Sequence, residues 1–290
     1  MNSFCAPFSH EQAKRCCAHL LARYPFAAVS VLGRTAAGRA IFALHVGAPA
    51  GAPVLYVSGL SGRDAAGSEA LYRFFDCACR AVLRDTTLCG VKLRRTLQSR
   101  RLVVVPCLNP DGVEICRTGV FGAGVYAGLV GRAGAKDLSA WPCNARGVAL
   151  AHNFDYRHAP HPFSASEKDG AHAGRYAGPA PESEAETAAL ARLCRRTPFR
   201  QAMLLSGEGG RLFWSAPKDL TDAPLMARVL ASAGDFTLSK KGEPLLRGSF
   251  PAWFAETLHA PAFELAVPGS QPPQALWQTV REALLLAALL

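Results

Sequence analysis

The sequence predicts an α/β fold: a mixed, largely parallel central sheet with helices on both faces. Three observations point there. Four short apolar runs, at 54–57, 101–106, 201–205 and 262–267, read as strands buried on both faces. Helical stretches separate them, which is the order that gives parallel pairing. The chain has 290 residues, 50% hydrophobic and 19% charged, so it can bury a large core without disulfide or metal staples.

Residues 11–23 read as a helix that stops before Pro25, because the residue ahead of a proline is pushed out of the helical region. Residues 28–32 and 39–46 are β-rich and joined by a turn running from Gly33 to Gly38, a hairpin signal. The strand at 54–57 runs into a Gly-rich turn at 58–62, and 68–83 follows as a helix. The strand at 101–106 ends on Asn109-Pro110-Asp111-Gly112, which reads as a tight turn. Residues 119–139 and 159–181 show no period and read as long loops, a length that usually carries function. In a helix over 182–194, Ser183 and Glu186 stand at capping-box spacing. A strand at 201–205, a helix near 223–233, a strand at 262–267 and a helix over 274–290 complete the order. No repeat or linker divides the chain, so a single domain over 1–290 is expected. In such sheets function gathers where strands end and loops begin, here at 58–64, 106–112, 147–155, 206–211 and 263–268.

Lys and Arg number 32 against 22 Asp and Glu, a formal charge of +10. The densest cluster is Lys92, Arg94, Arg95, Arg100 and Arg101. No aromatic residue interleaves it and no nucleic-acid motif accompanies it, so it reads as a solvated rim between a helix and a strand. The ten cysteines contain no Cys-x-x-Cys, and Cys16-Cys17 and Cys77/Cys79 are too close to bridge within a pair. They read as reduced, mostly buried thiols, implying a reducing compartment. Residues 1–12 lack an apolar signal core, and no stretch approaches the roughly 20 apolar residues of a membrane span. A cytoplasmic location is therefore expected.

The strand-end segments carry a further pattern. It comprises Val54-Leu55-Tyr56-Val57 with the turn after it; Val105-Pro106-Cys107-Leu108-Asn109-Pro110-Asp111-Gly112-Val113-Glu114; and Asn144-Ala145-Arg146-Gly147-Val148 with His152-Asn153-Phe154-Asp155. Then come Tyr176 to Gly178 with Ser183-Glu184-Ala185-Glu186-Thr187, and finally Trp253-Phe254 with Pro261-Ala262-Phe263. In this order the pieces resemble the zinc carboxypeptidase family of the carboxypeptidase A type. They are nearest its bacterial branch of γ-D-glutamyl-diaminopimelate peptidases, over nearly the whole chain. The resemblance implies a carboxypeptidase-like fold. It also implies a zinc ion held by a His-x-x-Glu turn and a later His, with a Glu on the last strand as general base.

Carried over residue by residue, the pattern departs at the chemistry. The family's His-Gly-x-Glu is Ser61-Gly62-Arg63-Asp64 here, so the ligand-equivalent positions are Ser61 and Asp64. The third is Ser206, in Ser206-Gly207-Glu208-Gly209. The last strand reads Pro261-Ala262-Phe263-Glu264-Leu265-Ala266. Without a gap the base position is Ala266, with Glu264 a neighbouring candidate on the same side of the strand. Ala149 stands where an Asp orients the first zinc-binding His, and Ala151 where an Asn helps hold substrate. His152 stands where many relatives carry an Arg for the substrate carboxylate.

Zinc takes imidazole, thiolate or carboxylate, so no metal is expected at Ser61, Asp64 and Ser206, and no catalytic set is intact. The expected function is a pseudopeptidase: a binding or regulatory module toward a peptide or muropeptide, with Arg63, Arg146 and His152 as substrate contacts. The alternative is an active metallocarboxypeptidase acting on cell-wall-type peptides, with zinc held by a rearranged set drawn from Asp64, Glu208, Glu264 and His152. A third reading is a basic scaffold recognised through charge alone. A serine nucleophile at Ser61 or Ser206 would have His152 alone as partner and no nucleophile elbow. Cys107 reads as a packed core thiol.

Overall fold

The computed structural model describes residues 8–133, 137–158, 176–207, 209–239, 247–267 and 272–290. Its centre is an eight-stranded sheet of β1 (Ala28–Arg34), β2 (Ala40–Gly47), β3 (Ala52–Ser58), β4 (Arg100–Val105), β5 (Gln201–Gly207), β6 (Arg211–Ser215), β7 (Thr237–Leu238) and β8 (Ala262–Val267). The spatial order is β1-β2-β4-β3-β5-β8-β6-β7. The pairs β3–β4, β3–β5 and β5–β8 are parallel, while β1–β2, β2–β4 and β6–β8 are antiparallel. The four apolar runs are these central parallel strands, as the absence of alternation implies.

Nine helices flank the sheet among the described residues: α1 (His10–Arg23), α2 (Ala65–Arg84), α3 (Leu93–Thr96), α4 (Pro110–Thr118), α5 (Ala127–Arg132), α6 (Ala185–Arg196), α7 (Ala223–Ala233), α8 (Phe250–Leu258) and α9 (Pro273–Leu289). Successive β4 side chains go to opposite faces. Leu102 and Val104 join one core with Phe74, Phe75, Leu230 and Leu284; Val103 and Val105 join a second with Leu190, Trp253 and Phe254.

Three local expectations are corrected. Asn109-Pro110-Asp111-Gly112 is the first turn of α4: the Asn109 side chain accepts the Gly112 N–H at 2.8 Å and Pro110 lies in the first turn. The same residues suit a turn and a helix start, and the cap bond decides. The described part of the stretch 119–139 holds a 3-10 segment (Gly119–Tyr126), α5 and the start of a further 3-10 turn (Leu138–Ala140), and is not a plain loop. By length and composition 110–132 also passes as a membrane-spanning run, although Gly119 (φ 65°) and Gly124 (φ 56°) interrupt it.

Finally, α6 starts at Ala185 with Glu184 at its N-cap and no side-chain cap bond. The Ser183 hydroxyl instead donates to Glu184, and Glu186 turns inward to Asn144. A buried polar network has claimed the capping-box residues. The strand β6 and helix α8 were not legible in sequence; α8 is apolar on nearly every side and carries no period. Most of the loop at 159–181, with His161 and His172, lies outside the described residues, as do Cys5 and Glu208. The described thiols are free, with Cys17, Cys79, Cys107, Cys143 and Cys194 buried.

Candidate functional site

Parallel pairing brings the carboxyl ends of β3, β5 and β8 together, and four of the singled-out residues meet there. Ser61 and Asp64 lie in the turn between β3 and α2. The Ser61 N–H donates to Asp64 Oδ2 at 2.9 Å, and the Arg63 N–H donates to Ser61 Oγ at 3.3 Å. Gly62 permits this turn to press on its surroundings: a Cβ there would stand 2.5 Å from the carbonyl oxygens of Gly112 and Trp141.

Asp64 is 6% exposed. Burial pushes its carboxyl up to about 7, against the opposing pull of the Ser61 N–H, the Arg63 charge and the Gly207 N–H; Glu264 pushes the same way as burial. Gly207 admits the carboxylate, since a Cβ there would be 3.0 Å from Asp64 Oδ1. On β5, Ser206 pairs with Ala266 of β8, and its hydroxyl donates to Glu264 Oε1 at 2.6 Å. Burial raises the Glu264 carboxyl as well, with the Ser206 bond opposing. The ungapped base position Ala266 is buried and has no polar side chain. Glu264, two residues earlier on the same strand face, is the acid that enters the cluster.

The other expected contacts are dispersed. His152 ends a 3-10 turn (Leu150–His152), and its Nδ1 lies 3.1 Å from the Arg247 carbonyl, to which it donates. A Cβ on Gly248 would fall 1.8 Å from the His152 carbonyl oxygen, so a glycine is required at that approach. Arg146 lies 3.7 Å from Glu184, a buried carboxylate that partly neutralises it. Arg63 is exposed beside Asp64. Ala149 packs with Ile115 and Trp141. Neither serine hydroxyl is hydrogen-bonded to a histidine among the described residues. Cys107 is buried in the core, and burial pushes its thiol up to about 12.

A second polar group, not singled out by chemistry in the sequence, holds the segment that carries Arg146 and His152. Asn144 Oδ1 accepts the N–H groups of Arg146 and Val148, and its Nδ2 donates to Glu184 at 2.7 Å and Glu186 at 3.4 Å. Asn153 Nδ2 donates to the carbonyls of Ala177 and Ala180 and to Ser183 Oγ; its Oδ1 accepts from the Glu184 N–H and the Thr187 hydroxyl. Glu186 is fully buried, and its Oε2 has no partner.

The donor chemistry does not match zinc. Two of the three ligand-equivalent positions hold neutral hydroxyls, and the third is a carboxyl with a raised affinity for protons. Among the described residues, no three His, Cys, Asp or Glu side chains converge on one point.

A family model described as zinc carboxypeptidase matches residues 14–234. Gamma-D-glutamyl-L-diamino acid endopeptidase 1 of Lysinibacillus sphaericus is 25% identical over 140 residues, which are 46% of this chain and 34% of that protein. The chain spans about half, or less, of the length of the curated relatives it matches. Carboxypeptidase A of Helicoverpa armigera superposes with a TM-score of 0.74 at 16% identity, covering 99% of this chain and 75% of that one. Murein-tripeptide amidase MpaA of Escherichia coli O157 does so with a TM-score of 0.56 at 22% identity, covering 89% and 91%. At these identities the structural likeness establishes the fold alone.

Proposed function

The chain belongs to the zinc carboxypeptidase family, and on that premise we propose that it is a pseudopeptidase that binds a peptide or muropeptide without hydrolysing it. The observation that carries this reading is the closure of the ligand-equivalent set upon itself. Ser61 supports Asp64 through its N–H, and Ser206 spends its hydroxyl proton on Glu264. Strong zinc binding rests on several imidazole, thiolate or carboxylate ligands together. Asp64 alone offers one, and a proton competes for it near neutral pH.

The test is metal content by mass spectrometry after dialysis of the purified protein against trace zinc. The expected result is far less than one zinc per chain, unchanged in Asp64→Ala. Near-stoichiometric zinc that disappears in that variant overturns the reading.

What the chain's own residues do in this reading is bind. Arg63 offers positive charge and hydrogen-bond donors to an acidic peptide, His152 offers its second ring nitrogen, and Arg146 contributes less because Glu184 shares its charge. A charge-assisted hydrogen bond is worth about 1.5–3 kcal/mol. Arg63→Ala or His152→Ala is therefore expected to weaken a γ-D-glutamyl-diamino acid peptide about tenfold or more in calorimetry. Affinity that ignores both substitutions excludes these strand-end segments as the binding place.

A second reading has one observation in its favour. Asp64 and Glu264 lie within electrostatic reach of each other, so two members of the rearranged zinc set do meet. Hydrolysis of such a peptide, abolished by Glu264→Gln and by chelator, is the outcome that selects it.

A further inference from the structure

We propose that the sheet end opposite the candidate site is a docking surface for a phosphodiester polyanion, bound through its backbone charges. Arg100 and Arg101 open β4, where they pair with Ala52 and Pro53 of β3. The Arg200 N–H, just ahead of β5, bonds the Pro53 carbonyl. All three therefore stand at the amino ends of the parallel strands. Ser58 and Ser206, beside the candidate site, stand at the other ends. At about 3.3 Å per residue, a strand of this length separates the two places by about 20 Å, so occupation of one leaves the other open. Lys92 and Arg95, exposed on and beside the short helix α3, extend the same positive rim.

The rim differs from an ordinary solvated one in its charge balance. Among the described residues, Lys92, Arg95, Arg100 and Arg101 take part in no ion pair, while Arg94 leans on Asp85 at 3.5 Å. Arg100 and Arg101 are held instead by neutral carbonyls, those of Leu289 at 3.5 Å and Pro49 at 3.3 Å. Their Nε atoms are buried without an acceptor. Burial weakens the hold of the Arg200 guanidinium on its proton, and the nearby Arg100 cation adds to that effect. Arg200 bonds the main-chain oxygen of Leu290, whereas the Arg100 and Arg101 guanidinium groups are partly immobilised with no side-chain carboxylate paired to them, which lowers the ordering cost of meeting an anion.

Guanidinium forks match phosphate oxygens bidentately. The sequence run that supplies the rim, 92–101, holds no aromatic residue, so no platform for stacking bases exists there, and contact would be to the backbone without sequence preference. A membrane surface is disfavoured, because interfacial binding inserts an apolar face and Leu83 is the one large exposed apolar side chain near this rim in sequence.

The test uses the full chain and a labelled dT oligonucleotide in fluorescence anisotropy, over a salt series. Lys92→Glu/Arg95→Glu changes only exposed, unpaired side chains, so folding is preserved. It is expected to weaken binding at least about tenfold and to flatten the slope of log K against log salt by about one to two. Lys218→Glu/Arg228→Glu removes the same charge from exposed side chains after β6 and on α7, toward the other edge of the sheet from β4, and is expected to leave affinity within about twofold, once screening reduces long-range effects. Equal losses in both double variants overturn the proposal, because net charge alone then explains binding. So does unchanged binding in the first variant. Poly-L-glutamate displacing the oligonucleotide at equal charge overturns the phosphate assignment, and tight binding to phosphatidylglycerol vesicles but not the oligonucleotide assigns the surface to a membrane.

Discussion

Asn153→Ala is expected to lower stability by about 3 kcal/mol, because the buried Glu184 N–H would lose its partner at about 1–3 kcal/mol and the four other bonds of the side chain would go with it. Asn153 is fully buried and joins three pieces of chain: the turn that carries His152, the segment 176–183 and the start of α6. Alanine leaves the Glu184 N–H without a partner in a dry site and the Ala177 carbonyl with His158 Nε2 alone. For a chain of this size the loss corresponds to a melting temperature lower by on the order of 10 °C. Asn153→Asp keeps the acceptor and loses the donor, and is expected to be destabilising as well, since it adds a charge beside Glu184. Thermal unfolding followed by circular dichroism reads both. A wild-type melting temperature in Asn153→Ala would mean that the network tolerates a water in place of the amide.

Glu186→Gln is expected to reshape the pH profile of stability. Burial pushes the Glu186 carboxyl up to about 8, with Asp111 and Glu184 adding to the effect and Asn144 opposing it. The groups facing it are Glu184 and Asn144 around the start of α6 and Asp111 from α4; Asp111 is itself paired with Arg39 at 2.7 Å, and Glu184 faces Arg146. The folded state prefers the protonated acid. Its contribution is therefore complete below the ordinary carboxyl range near 4.5, declines as pH rises and is lost once pH passes about 8. Glutamine copies the neutral acid and has no proton to lose. The variant should match the wild type near pH 4 and exceed it by roughly 3–5 kcal/mol above pH 8. Both proteins keep the smaller decline from Asp64, which ends near 7. Urea unfolding across pH decides: parallel profiles in the two proteins would mean that Glu186 is ionised in the fold with a partner.

The two predictions act on one structural unit. Asn144, Asn153, Glu184 and Glu186 fix the segment 144–153, which carries Arg146 and His152, two of the proposed peptide contacts. Rigidity of the proposed binding surface therefore depends on residues that touch no ligand. The pieces Asn144-Ala145-Arg146 and Ser183-Glu184-Ala185-Glu186 were visible in the sequence, but as separate matches. Their union depends on a contact between residues about 40 positions apart.

By itself the sequence determined the central sheet, because strands buried on both faces must be apolar throughout and helices between them must carry an apolar stripe. The runs at 54–57, 101–106, 201–205 and 262–267 are the four parallel strands. It also determined which residue types stand at the strand-end positions that the family resemblance singles out, since identity at Ser61, Asp64 and Ser206 is a matter of reading. Tertiary structure alone decided what those residues do to one another. Glu264 entering the cluster in place of Ala266 depends on the register Leu204↔Glu264 and on the reach of a side chain across it. The helix α4 in place of a turn depends on one cap bond, and the raised affinities of Asp64 and Glu186 for protons depend on burial. A sequence lists which groups can be charged; only the packed chain fixes how much water and which partners each one keeps, and those set the charge.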